Sequence, residues 1–227
     1  MARWDLIDSA PVPGGSTELR LYQRADVFAI RVPGFGELMN SRTHGSEDAL
    51  GTLACERVSG VTAPCVLVGG LGMGFTLATS LAALPSDATV VVAELVRQVV
   101  EWNRGPLGAC AGRPLDDPRV SVEHMDVAEL IRTSSARYDA IMLDVDNGPE
   151  GLTRRANDAL YSLSGLGDAY DALKPGGTLS VWSAGPDRVF PSRLKAAGFV
   201  VEERVVRAHA GKGSRHFIWF AKRPEKT

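Results

Sequence analysis

The chain has 227 residues, room for one large domain or one domain with a small appendage at the usual ~100 to 200 residues per domain. Its 25 Lys and Arg against 27 Asp and Glu leave a net charge of −2, a balance that argues against a general nucleic-acid or membrane-surface binder. With 44% hydrophobic and 23% charged residues, the composition is that of an ordinary globular enzyme or binding domain and excludes a disordered or fibrous chain.

Met1 to Thr17 carries Asp5, Asp8 and two prolines, so it does not read as a secretion signal. Glu18 to Gln23 and Asp26 to Val32 alternate apolar and polar residues, and Pro33-Gly34 marks a turn before a third extended piece, Glu37 to Asn40. Ser46-Glu47-Asp48 opens a helix through Arg57, with Ser46 as N-cap and acids in the first turn. Residues 1–60 therefore read as a small β-rich lobe with a linking helix, and residues 61–227 as a second, larger domain. Between Val58 and Ser86 lie 29 residues without a charge, more than the ~20 that span a bilayer. Pro64, Gly69, Gly70, Gly72, Gly74 and Pro85 punctuate that stretch, so it reads as an extended run, a turn and a helix, with no membrane span.

From Ala63 onward the apolar runs Cys65 to Val68, Thr89 to Ala93, Val120 to His124, Ala140 to Leu143 and Thr178 to Trp182 are spaced for crossover helices, the pattern of an α/β fold with a mostly parallel sheet covered on both faces. Phe199 to Ala208 and Arg215 to Lys222 break the alternation and predict an antiparallel hairpin at the sheet edge. The cysteines Cys55, Cys65 and Cys110 are odd in number and form no Cys-x-x-Cys pair, so neither a disulfide framework nor a zinc site is indicated and a reducing cytoplasm suits them. His44 and His124 have no partner at metal-ligand spacing, and no metal is expected.

The chemistry gathers at strand ends. Gly69-Gly70-Leu71-Gly72-Met73-Gly74 follows the strand Val66 to Val68 and precedes a helix from Phe75 to Leu84, which lets the backbone turn sharply at a helix N-terminus. Glu94 ends the next strand, 20 residues past Gly74, where a carboxylate accepts the hydroxyls of an adenosine ribose and repels a 2′-phosphate. Spacing leaves NAD and S-adenosylmethionine both open. The terminal hairpin is similar to the antiparallel strand that S-adenosylmethionine-dependent transferases carry beside a parallel sheet, an analogy at the level of fold.

Several motifs together resemble the spermidine synthases (aminopropyltransferases) and their relatives. Val66 to Gly70 resembles the family's glycine-rich strand end, Ala93-Glu94-Leu95 its ribose-binding acid, and Met125-Asp126-Val127 its adenine-binding corner. Leu115-Asp116-Asp117-Pro118-Arg119-Val120 is similar to a stretch before the next strand, and Leu173 to Gly177 to the turn before the fifth. Ile141-Met142-Leu143-Asp144 matches the strand whose terminal aspartate is catalytic, and Tyr22-Gln23 resembles a pair whose glutamine touches the nucleoside. The resemblance implies a Rossmann-like fold of the S-adenosylmethionine-dependent methyltransferase type and Asp144 as base. It implies a nucleoside site of Gln23, Gly69, Gly70, Gly72, Gly74, Glu94, Leu95, Asp126 and Val127, with Asp146 and Asn147 toward the acceptor. It also implies a homodimer, a small-molecule acceptor, and S-adenosylmethionine or its decarboxylated form as co-substrate; no nucleic-acid or membrane partner is expected.

The departures are Gly72 and Asn147, where the family carries aspartates, and Glu47 and Asp48, where it carries tyrosine and glutamine. Two anionic contacts to a polyamine are thus missing, which disfavours putrescine. Arg154 and Arg155, with Arg207, His209, Lys212, Arg215 and His216 about the hairpin, read first as solvated loop charges. If they rim the cleft, they suit an anionic or neutral acceptor. Aminopropyl transfer, methyl transfer to a small molecule, and a noncatalytic nucleoside-binding relative all remain open.

Overall fold

The computed structural model describes residues 3–15, 17–145, 159–209 and 212–225. The chain opens with an antiparallel sheet of four strands in sequence order, β1 (Asp5–Pro11), β2 (Glu18–Arg24), β3 (Val27–Val32) and β4 (Gly36–Asn40). Strands β2 to β4 fall on the expected extended segments. β1 was not expected: all its positions but Ala10 are exposed, so it lacks the alternation that marks a half-buried strand.

Helix α1 (Gly45–Glu56) follows, capped by His44 and not by Ser46. The N-cap falls two residues earlier than expected, and Gly45 lies against the penultimate strand of the chain, where a Cβ would come 2.8 Å from the Ala208 carbonyl oxygen. Ser46 is thereby placed inside the first turn and fully buried.

The larger sheet is built from β5 (Cys65–Gly69), β6 (Thr89–Ala93), β7 (Val120–Glu123), β8 (Tyr138–Leu143), β9 (Leu173–Ser183), β10 (Val200–His209) and β11 (Lys212–Lys222). Their order is β10-β11-β9-β8-β5-β6-β7. β5 to β9 run parallel, while β11 pairs antiparallel with β9 and β10 with β11. The expected terminal hairpin is thus present, with β11 inserted beside β9. The predicted Pro-Gly-Gly turn is absorbed into β9, where the register shifts between Tyr138 and Ala140 of β8.

Helices α2 (Phe75–Ala83), α3 (Arg97–Arg104), α4 (Val127–Arg132), α5 (Leu163–Ala172) and α6 (Phe190–Ala196) connect the strands. Every position of β8 is buried, as a strand covered on both faces requires. The two faces separate by alternation. Val66, Val68, Val90 and Val92 join Leu50, Leu77 and the lobe residues Leu21 and Ile30 in one apolar layer, while Leu67, Val91 and Ile141 join Leu130, Leu166 and Leu194 in the other. Helices α1 and α2 meet at Gly51, where a Cβ would lie 2.6 Å from the Thr76 carbonyl oxygen.

The Asp-Asp-Pro-Arg-Val stretch has a structural task. α2 has no basic residue in its last turn, and Arg119 supplies that charge from across the fold. Its guanidinium donates to the carbonyls of Leu81 (2.9 Å), Leu84 (3.0 Å) and Pro85 (3.1 Å) and pairs with both oxygens of Asp117 (3.0 and 2.8 Å). The Arg119 side chain pulls the Asp117 carboxyl down to about 2. That contribution to stability is present above the ordinary aspartate value of 3.8 and is lost as pH falls through 2. Arg119→Ala should therefore cost about 2 kcal/mol in denaturant unfolding at pH 7. Arg119→Lys should recover less than half of it, because an ammonium cannot reproduce the fork.

Candidate active site

β5 ends at Gly69, and the loop that follows is packed against the end of β8. The Asp144 amide donates to the Gly69 carbonyl at 2.9 Å. At Gly70, φ is +86° and a Cβ would stand 2.6 Å from the Asp144 carbonyl oxygen, so only glycine permits this approach. Glu94, 8% exposed, ties the same loop to the end of β6. Its Oε2 accepts from Leu71 N at 2.9 Å and its Oε1 from Val96 N at 2.8 Å. Asn103 completes the support by donating to the carbonyls of Gly72 (2.8 Å) and Val99 (2.9 Å). Gly74, in the left-handed conformation, is the N-cap of α2.

The predicted nucleoside residues fall at adjoining strand ends. Leu95 follows Glu94 and is an exposed apolar residue. Asp126 caps α4 by accepting from Ala128 N at 2.8 Å. Val127 is buried, its methyl group 2.8 Å from where a Cβ on Gly69 would be. The Gln23 amide donates to the Ala25 carbonyl at 2.9 Å in the β2–β3 turn, and Gln23 is not among the residues lining the cavity beside Asp144. To that cavity the lobe contributes Leu38, Met39 and Asn40 of β4. Asp146, Asn147, Arg154 and Arg155 lie outside the described residues.

A cavity of about 70 Å³ opens between β4, the glycine loop, the start of α1 and the ends of β8 and β9. Its walls include Met39, Glu47, Gly72, Thr76, Asp144 and Trp182. Thr76 Oγ1 donates to Asp144 Oδ2 at 2.7 Å and reaches the Glu47 carbonyl oxygen at 3.3 Å. Burial pushes the Asp144 carboxyl up, the neighbouring Glu47 charge pushes it further, and the Thr76 hydrogen bond opposes both, leaving it at about 7. A carboxyl poised near neutrality in a cleft is suited to exchanging a proton with a bound group.

Gly72 has φ +52°, and a Cβ there would meet the Met39 sulfur at 3.1 Å. The thioether therefore closes the space an aspartate would need. Among the described residues no Arg, Lys or His lines the cavity. Arg207 is turned to the Gly213 carbonyl at 3.1 Å. Arg215 is exposed, with its guanidinium 5.9 Å from the Phe217 ring centroid. His216 is no solvated loop charge: its Nδ1 lies 2.7 Å from Ser46 Oγ, and its ring meets Trp182 edge-on at 5.0 Å. Thr76 and Met39 had not been singled out from the sequence. Thr76 carries a weak signal, a hydroxyl in the first turn after the last loop glycine; Met39 carries none.

The family model described as the spermine/spermidine synthase domain matches residues 61–186. No curated protein sequence matches. Among solved structures, the spermidine synthase of Thermotoga maritima has a TM-score of 0.77 at 18% identity, over 97% of this chain and 74% of that one. A spermidine synthase in complex with the transition-state analogue AdoDATO has a TM-score of 0.76 at 18% identity, over 97% and 73%. The Burkholderia thailandensis 1,6-didemethyltoxoflavin-N1-methyltransferase, with bound 1,6-didemethyltoxoflavin and S-adenosylhomocysteine, has a TM-score of 0.58 at 20% identity, over 81% and 80%. These likenesses are likenesses of fold. The family match covers more than half of the chain, including the glycine loop, Glu94, Asp126 and Asp144, and the chain belongs to the spermine/spermidine synthase domain family.

Proposed function

We propose that this chain is a transferase that binds S-adenosylmethionine or its decarboxylated form and passes an aminopropyl or methyl group to a small-molecule acceptor. The observation that carries this reading is the convergence of the glycine loop, Glu94 and an Asp144 raised to about 7 on one rim of the sheet, where open α/β sheets bind ligands. The solved relatives hold AdoDATO and S-adenosylhomocysteine at this fold. A homodimer and a cytoplasmic setting belong to the same reading and rest on the family resemblance and the free cysteines.

A sulfonium donor brings its own leaving group, so the protein has little bond-making to assist. Its task is to hold acceptor and carbon in near-attack geometry. Glu94 receives the ribose hydroxyls, Leu95 covers an apolar face of the nucleoside, and Asp126 takes the adenine amino group. Asp144 orients the attacking atom and receives its proton, with Thr76 fixing the rotation of its carboxylate. Calorimetry with S-adenosylmethionine, decarboxylated S-adenosylmethionine, methylthioadenosine and NAD side by side tests the reading; tight NAD binding with no response to the other three would replace it.

Glu94→Ala should weaken nucleoside binding by about 1.5 to 3 kcal/mol, the range for hydrogen bonds to a charged group. An unchanged affinity would remove Glu94 from the site.

Asp144→Asn should spare nucleoside affinity and lower turnover by roughly 10²- to 10⁴-fold. It should also stabilise the fold. Between the ordinary value of 3.8 and about 7, the folded state keeps a proton that the unfolded state gives up, so native stability falls as pH rises through that window. Removing the group should raise Tm at pH 8 by at least about 3 °C. A drop in Tm would instead make Asp144 a structural residue.

Putrescine at millimolar concentration should yield little spermidine, because Gly72 is covered by Met39 and carries no charge. Efficient formation would return the chain to the ordinary enzymes of the family.

A further inference from the structure

A second cavity lies at the sheet rim, larger than the one beside Asp144 and sharing no lining residue with it among those described. It measures about 480 Å³ and forms a groove between α4 and α5. Asp126, Glu129 and Arg132 line it from the α4 side, and Leu160, Ser164 and Asp168 from the α5 side. Asp126 follows β7 and is the residue assigned to the base amino group, so the groove opens at that end of the nucleoside.

Its walls are set by backbone contacts. Ser162, the N-cap of α5, accepts from Gly165 N at 3.1 Å and donates to the Ala159 carbonyl at 2.7 Å. A Cβ on Gly165 would come 2.2 Å from that carbonyl oxygen, so only glycine lets the first turn of α5 lie this close to residues 159 and 160. Arg193 of α6 donates to the Tyr161 carbonyl at 2.9 Å and ties down the same segment. On the opposite wall, Asp126 Oδ1 accepts from Ala128 N at 2.8 Å, which leaves Oδ2 without a hydrogen bond among the described residues. Ile131 and Leu160, 1% and 2% exposed, give the groove an apolar floor. Glu129, Arg132 and Asp168 make no ion pair among the described residues, so no salt bridge closes the opening.

A purine amino group has two hydrogens, and one carboxylate oxygen needs only one of them. A volume of about 480 Å³ is that of a pocket for a whole ligand, far more than an amino group fills. Resting on the transferase reading above, we propose that this groove is a binding subsite beyond the base, which admits purine nucleosides carrying one alkyl substituent on the exocyclic nitrogen. The remaining N–H donates to Asp126 Oδ2, and the substituent runs over Ile131 and Leu160 toward Ser164 and Asp168. A second substituent on the same nitrogen removes the last donor and leaves the Asp126 oxygen unpaired. Because the groove is separate from the cavity beside Asp144, it widens the choice of nucleoside and leaves the acceptor untouched.

The test is calorimetry on the full chain with methylthioadenosine and its N6-butyl and N6,N6-dimethyl forms. The N6-butyl form should bind within about fivefold of methylthioadenosine, and the N6,N6-dimethyl form at least about tenfold more weakly than methylthioadenosine. Ser164→Trp puts a large side chain into the groove from an exposed position of α5. It should weaken the N6-butyl form at least about tenfold while methylthioadenosine stays within about twofold; Ser164→Ala should leave both unchanged. The proposal is overturned if the wild-type chain binds the N6-butyl form more than about fivefold more weakly than methylthioadenosine. It is equally overturned if the N6,N6-dimethyl form binds as well as the N6-butyl form, or if Ser164→Trp affects methylthioadenosine and the N6-butyl form alike. Rejection of the N6-butyl form with methylthioadenosine still bound ends the subsite alone, whereas no binding of methylthioadenosine ends the transferase reading together with it.

Discussion

The carboxylate of Glu94 is the tie on which the cleft depends. By accepting from Leu71 N and Val96 N it joins the glycine loop to the end of β6, and the loop in turn sets the starting point of α2. From there Thr76 reaches Asp144, and Gly72 meets Met39 of the lobe. A charged acceptor spent on two backbone donors is a strong interaction when buried. On the proposed reading, the group that would receive a ribose also shapes the loop that would meet the rest of the nucleoside. If the nucleoside binds here, a substitution at Glu94 would act on the shape of the loop as well as on the ligand contact.

The acid centre carries the opposite balance. Asp144 and Glu47 share a wall of a small cavity in which their charges repel, and burial adds to the cost of ionising Asp144. Proteins keep such arrangements where the surroundings over-determine them. Here the close Gly70 contact fixes the Asp144 backbone, and the Ser46–His216 pair fixes Glu47. Stability lost at the centre is offset by the two apolar layers that sandwich the sheet.

Much of this was legible in the sequence because parallel strands buried on both faces leave continuous apolar runs. β5, β6 and β8 announce themselves that way, and the glycine loop and Glu94 follow from the spacing between them. β1 is silent because six of its seven positions face solvent, so no pattern of burial is written into it. The Asp-Asp-Pro-Arg-Val stretch was visible as a motif, but its work as a clamp on the last turn of α2 depends on carbonyls more than 30 residues away. Ser46 reads as an N-cap from its neighbours, and only the packing of Gly45 on β10 displaces it from that task.

The pairing of Ser46 with His216 spans 170 positions, and no local rule could connect them. His216 stood in the sequence among loop cations, yet the insertion of β11 beside β9 turns it inward against Trp182. A residue counted with the rim charges thus becomes the neutral end of a hydrogen-bonded chain to an acid. The charge that faces the cavity is then set by α1 and β8, from which Glu47 and Asp144 project, and not by the hairpin. Composition near a site in sequence is a poor guide to its electrostatics when an antiparallel strand carries alternate residues to opposite faces, and the sign of the cleft follows from which of those faces the fold turns inward.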